Sequence, residues 1–242
     1  MYAIKTESLT KKYKDKKAVD SLDLTVNEGE LYALLGVNGA GKSTTIKMLS
    51  CLTQPTSGGA EIMGHSLTGE PNEVKRIINV SPQETAVAPK LSVRENLEFI
   101  AGIYGANSKE AREKADKMIE QFDMGEIVRQ KAGKLSGGWQ RRLSIAMALI
   151  SQPQVLFLDE PTLGLDVLAR RELWRMIEAL KGKITIILTT HYLEEAEALS
   201  DRIGIMAKGR LKAEGTAADL KAKAGTDDFE EAFIRIAGEV SK

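Results

Sequence analysis

The sequence contains the glycine-rich segment Gly36-Val37-Asn38-Gly39-Ala40-Gly41-Lys42-Ser43, followed by Thr44. It fits the pattern G-x-x-x-x-G-K-[ST], in which glycines let backbone N–H groups close around phosphate oxygens. The apolar run Leu31–Leu35 before it predicts a buried strand, and we expect a helix from about Lys42 to Cys51. A strand, a glycine-rich loop and a helix in this order predict a phosphate site at the helix N-terminus. We therefore expect every residue from Gly36 to Thr44 to contact a nucleotide.

Two side chains of this loop are predicted to act directly on the ligand. Lys42 supplies a positive charge for the β- and γ-phosphates, and the hydroxyl of Ser43 can ligate Mg²⁺. The expected ligands are therefore ATP and Mg²⁺. The alternative, an accidental glycine-rich turn, is disfavoured because the loop lies between a predicted strand and a predicted helix.

A second segment places acidic residues after a buried strand. Val155–Leu158 is a continuous apolar run, and Asp159 and Glu160 follow it directly. Asp159 is predicted to hold Mg²⁺ through water, and Glu160 to orient and polarise the attacking water. The alternative is a core strand followed by a solvated acidic turn. The phosphate-binding loop elsewhere in the chain favours the catalytic interpretation.

A third segment, Leu135–Gln140, reads Leu-Ser-Gly-Gly-Trp-Gln and extends the pattern. With the two preceding motifs it makes nearly the whole chain resemble the nucleotide-binding subunits of ATP-binding cassette (ABC) proteins. In that family, residues in the positions of Ser136, Gly137 and Gly138 contact the γ-phosphate of ATP held by the other subunit. The resemblance thus implies ATP held between two subunits, as a homodimer or a heterodimer. A serine-capped helix with glycines in its first turn is the alternative.

Four further residues match positions of the same family. The resemblance assigns Gln83 to a loop that touches Mg²⁺ or water and contacts the permease, and His191 to a switch that reaches the γ-phosphate. Asp166 resembles the loop that links the two sites of the dimer, although it could equally cap the following helix. Tyr13 resembles the aromatic residue that stacks on adenine; an amphipathic edge tyrosine is the alternative. Trp139 departs from the family, which usually has glutamine there.

The order of predicted elements indicates an α/β fold. Leu22, Leu24 and Val26 alternate with polar residues, as in an antiparallel strand with one buried face. Helical patterns with capping boxes at Ser92 and Asn107 fill the middle third of the chain. We predict a P-loop NTPase core with an antiparallel β-subdomain and an inserted helical subdomain at about 91–150. The ATPase domain is expected to span 1–220, and a helical extension 221–242.

Composition restricts the kind of partner. The chain has 242 residues, of which 43% are hydrophobic and 28% charged, and its formal net charge is zero. This balance gives no electrostatic attraction to nucleic acid, so no nucleic-acid partner is expected. No stretch approaches the roughly 20 apolar residues that span a bilayer. We therefore expect a chain that is soluble in itself and held at the cytoplasmic side of the cell membrane by an integral-membrane permease.

Several functions within the family remain open at this level. Chromosome-maintenance relatives insert long coiled coils between the positions of Lys42 and Ser136, and this chain shows no sustained heptads there. The motor subunit of a transporter is therefore favoured over a mechanoenzyme acting on DNA or ribosomes, and over a small-molecule kinase. The segments Lys90–Phe99, Thr190–Glu197 and Asp228–Phe233 resemble bacterial exporters with a separate permease, which move drugs, antibiotics, lipids or polysaccharides. The motor of an importer is the alternative.

Overall fold

The computed structural model describes residues 1–238 and shows two β-sheets with helices packed around them. The strands are β1 (Tyr2–Tyr13), β2 (Lys16–Asn27), β3 (Leu31–Leu35), β4 (Ser57–Ile62), β5 (His65–Ser66), β6 (Ile78–Ser81), β7 (Val155–Asp159), β8 (Thr185–Thr190), β9 (Arg202–Ala207) and β10 (Arg210–Gly215). The helices are α1 (Lys42–Leu49), α2 (Pro71–Ile77), α3 (Val93–Ile103), α4 (Ser108–Gln121), α5 (Gly137–Leu149), α6 (Val167–Glu178), α7 (Leu193–Leu199), α8 (Ala217–Ala224) and α9 (Phe229–Gly238).

The larger sheet has six strands in the order β10-β9-β3-β8-β7-β6, and every neighbouring pair except β10 and β9 is parallel. All residues of β3, β7 and β8 are buried, which explains why their central residues are continuously apolar. Parallel strands end at the same edge of a sheet, where ligands bind in α/β proteins. Since β8 lies between β3 and β7, the segments that follow these three strands are neighbours.

The smaller sheet is antiparallel, with the strand order β2-β1-β4-β5. Leu22, Leu24 and Val26 on β2 are buried as predicted, and they pack with Ile4 and Leu9 of β1. The sequence analysis did not predict β1. β1 contains several lysine and glutamate residues, so its sequence does not show the regular alternation of apolar and polar residues that usually indicates a strand.

A helical subdomain is inserted in the sequence between β6 and β7, which are neighbouring strands of the six-stranded sheet. Residues 91–150 contain α3, α4, α5 and two single 3₁₀ turns, with one isolated bridge between Ser92 and Lys131. The capping boxes at Ser92 and Asn107 are both confirmed. The helix that begins after Asn107 ends at Gln121, and Asp123 then adopts a left-handed conformation with φ of 51°. The predicted α/β class with an antiparallel and a helical subdomain is confirmed.

The end of the described chain is helical. A capping box at Thr216 starts α8, so this helix crosses the boundary expected at residue 220, and that boundary stays a prediction. Phe229 and Ile236 of α9 pack with Leu35 and Ile205 of the large sheet. Residues 239–242 of the expected extension lie outside the described residues. Within residues 1–238, no helix combines the length and the apolar character that crossing a bilayer requires.

Candidate nucleotide site

A cleft of about 580 Å³ opens at the carboxyl ends of the parallel strands. Its lining contains residues from nearly every segment singled out from the sequence. These are Tyr13, Lys16, Ala18, Asn38, Gly39, Ala40, Gly41, Lys42, Ser43, Thr44, Gln83, Glu160, Leu163 and His191. A second cleft of about 620 Å³, lined among others by Met118, Leu149 and Lys183, contains none of the predicted site residues. Convergent polar groups, rather than size, identify the first cleft as the candidate site.

The glycine-rich loop is shaped by positions at which a side chain does not fit. A Cβ atom on Gly36 would lie 2.4 Å from the carbonyl oxygen of Met206. Gly41 has φ of 109° and caps the start of α1, and a Cβ there would meet the carbonyl oxygen of Ala18 at 2.5 Å. The first N–H groups of a helix have no partner within it. Because the loop leads directly into α1 at the cleft, these N–H groups fit the oxygens of a phosphate.

Lys42 lies at the base of this loop and is only 4% exposed. Its Nζ donates a hydrogen bond to the carbonyl oxygen of Gly36 at 2.7 Å and lies 3.4 Å from Oε1 of Glu160. A buried ammonium group requires compensating negative charge or acceptors. This lysine is therefore placed to interact with an anionic ligand in the cleft, as the sequence predicted.

Ser43 and Asp159 come together across the end of the sheet. The Ser43 hydroxyl donates to Oδ1 of Asp159 at 3.1 Å, and the Thr189 hydroxyl donates to the same oxygen at 2.5 Å. A hydroxyl and a carboxylate are oxygen ligands of the kind that Mg²⁺ prefers. The described residues contain no group of three or more His, Cys, Asp or Glu that could hold a metal. The hydroxyl of Ser43 and the carboxylate of Asp159 could together hold a divalent cation with ligands from outside the chain.

Glu160 points into the cleft because the chain turns sharply after β7. Successive side chains of a strand point to opposite faces, so Asp159 and Glu160 would diverge in a regular strand. Glu160 instead has φ of 47°, a left-handed conformation that is unfavourable for a residue with a side chain. Its backbone N–H donates to the carbonyl oxygen of Thr189 at 3.0 Å, which stabilises the turn. Glu160 thus lines the cleft, and Asp159 adjoins it through its hydrogen bond with Ser43.

The carboxylate of Glu160 lies between two basic side chains. It is 8% exposed, with Oε1 at 3.4 Å from Lys42 Nζ and Oε2 at 3.0 Å from Nδ1 of His191. Because a carboxylate only accepts, Nδ1 of His191 is the donor in this bond. His191 follows β8 directly, as its predicted position after an apolar strand requires.

Gln83 and Tyr13 approach the cleft from two other sides. Gln83 is exposed in the segment after β6, and its carbonyl oxygen accepts a hydrogen bond from Arg141 of α5. Tyr13 ends β1 and is 49% exposed, with the Lys11 ammonium 5.1 Å from its ring centroid. An exposed ring at the rim of a nucleotide-sized cleft is available for stacking on a base.

Ser136, Gly137 and Gly138 are not among the residues that line the cleft of the same chain. Ser136 is the N-cap of α5, yet within the described chain its side chain makes no capping hydrogen bond, unlike the usual serine cap. Asp166 accepts from the N–H groups of Leu168 and Ala169, so its predicted role as the cap of α6 is confirmed. Contact of Ser136 with a nucleotide requires a second subunit and stays a prediction.

Trp139 is part of the helical subdomain's packing. Its ring is partly buried against the apolar core that includes Leu143, and the guanidinium of Arg142 lies 4.3 Å from the ring centroid. Arg142 also pairs with Glu172 of α6. The tryptophan that departs from the family pattern therefore contacts its own chain.

Sequence reasoning missed two residues that position the site. Thr189 bonds both Asp159 and the backbone of Glu160, and a polar residue at the end of a buried parallel strand is the signal that could have revealed it. Arg141 holds the backbone at Pro82 and Gln83. No sequence pattern indicates this contact, because it joins segments far apart in the chain.

The fold and the cleft define a P-loop nucleoside triphosphatase. Residues 19–163 match the family described as "ABC transporter". The chain is 43% identical over 239 residues to the daunorubicin resistance ATP-binding protein DrrA3 of Streptomyces coeruleorubidus, covering 98% of this chain and 75% of that protein. It is 44% identical over 226 residues to the daunorubicin/doxorubicin resistance ATP-binding protein DrrA of Streptomyces peucetius, covering 93% of this chain and 68% of the relative. The chain therefore belongs to the ABC transporter family.

Solved structures agree with this assignment. One described as the ATP binding subunit of an ABC transporter has a TM-score of 0.85 and 30% identity, covering 97% of this chain and 99% of that structure. The dimeric post-hydrolysis state of the ATP-binding cassette MJ0796, bound to ADP and Pi, has a TM-score of 0.79 and 27% identity over 88% of this chain and 98% of its own. The chain is an ATP-binding and ATP-hydrolysing subunit.

Proposed function

We propose that this chain is the ATPase that drives export through a separate membrane permease, with Glu160 as the catalytic base. The observation that carries the proposal is the placement of Glu160, whose carboxylate contacts Lys42 and His191 beside the pair of Ser43 and Asp159. The catalytic base Glu160, the positively charged side chain of Lys42 and the oxygen ligands of Ser43 and Asp159 thus lie close together. This combination suits hydrolysis of a triphosphate.

Binding of ATP is assigned to the glycine-rich loop and to Tyr13. The N–H groups at the start of α1 and the ammonium of Lys42 would bind the phosphates, and the Tyr13 ring at the cleft rim would stack on the adenine. Mg²⁺, bound by the Ser43 hydroxyl and by Asp159 through water, would offset the negative charge of the β- and γ-phosphates. Gln83, which lines the same cleft, would complete this arrangement.

Hydrolysis is assigned to Glu160 and His191. Glu160 would orient a water molecule toward the γ-phosphorus and accept its proton as the new P–O bond forms, while the bond from the γ-phosphorus to the bridging oxygen breaks and ADP leaves. His191 donates to Oε2 of Glu160, which fixes the direction of the carboxylate. In the proposed site, its other ring nitrogen faces the γ-phosphate and senses whether it is present.

A second subunit is needed to complete the site. Ser136 starts α5 outside the cleft of its own chain, with a hydroxyl that makes no cap bond among the described residues. We assign Ser136, Gly137 and Gly138 to the γ-phosphate held by a partner subunit, so ATP binding and dimer closure are coupled. The MJ0796 cassette, which this chain resembles in fold, is described as dimeric in a post-hydrolysis state bound to ADP and Pi.

The direction of transport is inferred from the relatives. Two of them are named for resistance to daunorubicin or doxorubicin. Resistance through an ATP-binding protein fits removal of the drug from the cell. We therefore assign to this chain the export of drug-like molecules, from the cytoplasmic face of a membrane and through a permease on another chain.

An accumulation assay tests this function. The chain would be expressed together with a candidate permease from its own genome in a drug-sensitive bacterium, and intracellular daunorubicin measured by its fluorescence. We expect less drug in cells with the wild-type chain than in cells with Lys42→Ala, which lacks the phosphate-binding charge. Equal accumulation in the two strains would contradict drug export, and higher accumulation with the wild type would indicate import.

A further inference from the structure

Helix α5, which begins directly after Ser136, also holds the segment that carries Gln83. The Arg141 guanidinium donates to the carbonyl oxygen of Pro82 at 2.6 Å and to that of Gln83 at 2.5 Å. One turn further along the helix, the hydroxyl of Ser144 bonds that of Ser81 at 3.0 Å. The segment that leaves β6 is therefore fastened to α5 at successive residues.

A buried arginine is an unusual donor for holding a backbone segment. It is 4% exposed, and among the described residues its hydrogen bonds go to backbone carbonyls rather than to a carboxylate. Burial lowers the pKa of Arg141, and the charges of Asp159 and Glu195 oppose that effect. A guanidinium stays charged in proteins, so its burial beside two carbonyl groups costs free energy that a neutral donor would not.

The position of Arg141 indicates a function for its buried guanidinium. Two N–H donors in one rigid plane fix the directions of the two peptide groups on either side of Gln83, which a single flexible donor does not. Gln83 lines the same cleft as Ser43. The direction of the Gln83 side chain is thus tied to α5.

We propose that Arg141 is a positioning residue that holds Gln83 in the nucleotide cleft, for contact with the metal, and couples it to the helix that starts directly after Ser136. This inference rests on the proposed function, because it requires that Gln83 contributes to the metal. In a straight helix, Ser136 and Arg141 move together. A partner's γ-phosphate that draws in the start of α5 therefore also shifts the Gln83 peptide. Binding of the second subunit therefore affects the metal site through contacts within one chain.

Metal affinity and loop order can be measured without turnover. Mn²⁺ would be titrated by electron paramagnetic resonance into protein saturated with a non-hydrolysable ATP analogue, and amide hydrogen exchange followed at residues 83–88 in the nucleotide-free protein. The variants are Arg141→Met, Gln83→Ala and the double variant. Arg202→Met is the matched control, because Arg202 also donates to a carbonyl oxygen, that of Thr25, but lies far from the loop.

We expect Arg141→Met to weaken Mn²⁺ affinity by about tenfold or more, as for groups that orient a metal ligand. Exchange at 83–88 should become faster, and affinity for the analogue without metal should stay unchanged. Arg202→Met should lower the melting temperature while leaving the Mn²⁺ affinity and the loop exchange at wild-type values. The double variant should match Gln83→Ala, because Arg141 acts through Gln83.

Arg141→Lys replaces Arg141→Met in these measurements if the methionine variant does not fold. It keeps the charge but not the paired donors, so its Mn²⁺ affinity should fall between those of wild type and Arg141→Met. Faster loop exchange with wild-type Mn²⁺ affinity would show a purely structural role and overturn the inference. Additive losses in the double variant would do the same. Wild-type Mn²⁺ affinity in Gln83→Ala would instead remove the proposed metal role of Gln83, and this inference with it.

Discussion

Replacing Glu160 with glutamine changes one charge at the centre of the site. The amide has nearly the same size as the carboxylate, and His191 can still donate to its oxygen at the position now 3.0 Å away. The left-handed turn at residue 160 is stabilised by backbone bonds to Thr189, which the substitution leaves intact. We therefore expect Glu160→Gln to fold and to bind ATP.

The expected loss is in hydrolysis. An amide cannot accept the proton of the attacking water, and a positioned general base contributes about 10²–10⁴-fold to a rate. At 1.36 kcal/mol per factor of ten, this corresponds to about 2.7–5.5 kcal/mol of lost transition-state stabilisation. Because ATP binding survives while its hydrolysis is slowed, the variant should accumulate as an ATP-bound dimer.

Single-turnover hydrolysis and light scattering after size exclusion measure these two effects. Glu178→Gln is the matched control, since it makes the same chemical change on an exposed face of α6. The control should hydrolyse ATP at the wild-type rate and remain a monomer when ADP is bound. Hydrolysis by Glu160→Gln within about threefold of wild type, far outside the range for a general base, would refute its assignment.

Four other outcomes follow from the structure. Lys42→Ala should abolish binding of a fluorescent ATP analogue, and near-native affinity would contradict the phosphate-loop assignment. Burial raises the pKa of Glu195 above its usual 4.5, so its ionisation destabilises the fold increasingly as pH rises. In Glu195→Gln the side-chain oxygen can still accept the hydrogen bond from Trp174 Nε1. Measured by urea unfolding, the stability of this variant relative to wild type should therefore increase as the pH rises from about 4 to about 8. A stability difference that does not change with pH would contradict this. Trp139→Gln should lower the free energy of unfolding by about 1–3 kcal/mol, through lost packing and the contact with Arg142, with turnover within a few-fold; a large fall in maximal turnover would place the ring in the chemistry. The isolated chain should dimerise with ATP and not with ADP, and a stable ADP-bound dimer would contradict opening after hydrolysis.

The sequence predicted the parts of the site that depend on strand ends. Apolar runs before Gly36 and Asp159 indicated buried parallel strands, and such strands end at one edge. Lys42, Asp159 and Glu160 were therefore expected to lie close together, and in the structure Glu160 contacts Lys42 while Asp159 contacts the adjacent Ser43. In contrast, β1 was missed because its charged residues leave few apolar positions to reveal a period of two.

The contacts that position the site were not predictable from local patterns. Nothing in the sequence indicates that Glu160 adopts a left-handed conformation, which alone turns its side chain toward Lys42. The bond from Thr189 to Asp159 and the bonds from Arg141 to the Gln83 peptide join residues distant in the chain. Such contacts depend on tertiary packing, which a periodicity or a capping motif does not specify.

The contact between Lys42 and Glu160 determines the order of events in the proposed cycle. In this structure each is the other's counter-charge, at 3.4 Å. A triphosphate carries several negative charges and attracts the ammonium more strongly than one carboxylate does. We infer that ATP draws Lys42 away from Glu160 and leaves the carboxylate, still oriented by His191, able to accept a hydrogen bond from water. The base therefore becomes available only when its substrate is bound. Glu160→Gln removes the competitor for Lys42, so its affinity for ATP should equal or exceed that of wild type, and a clear loss of affinity would contradict this order.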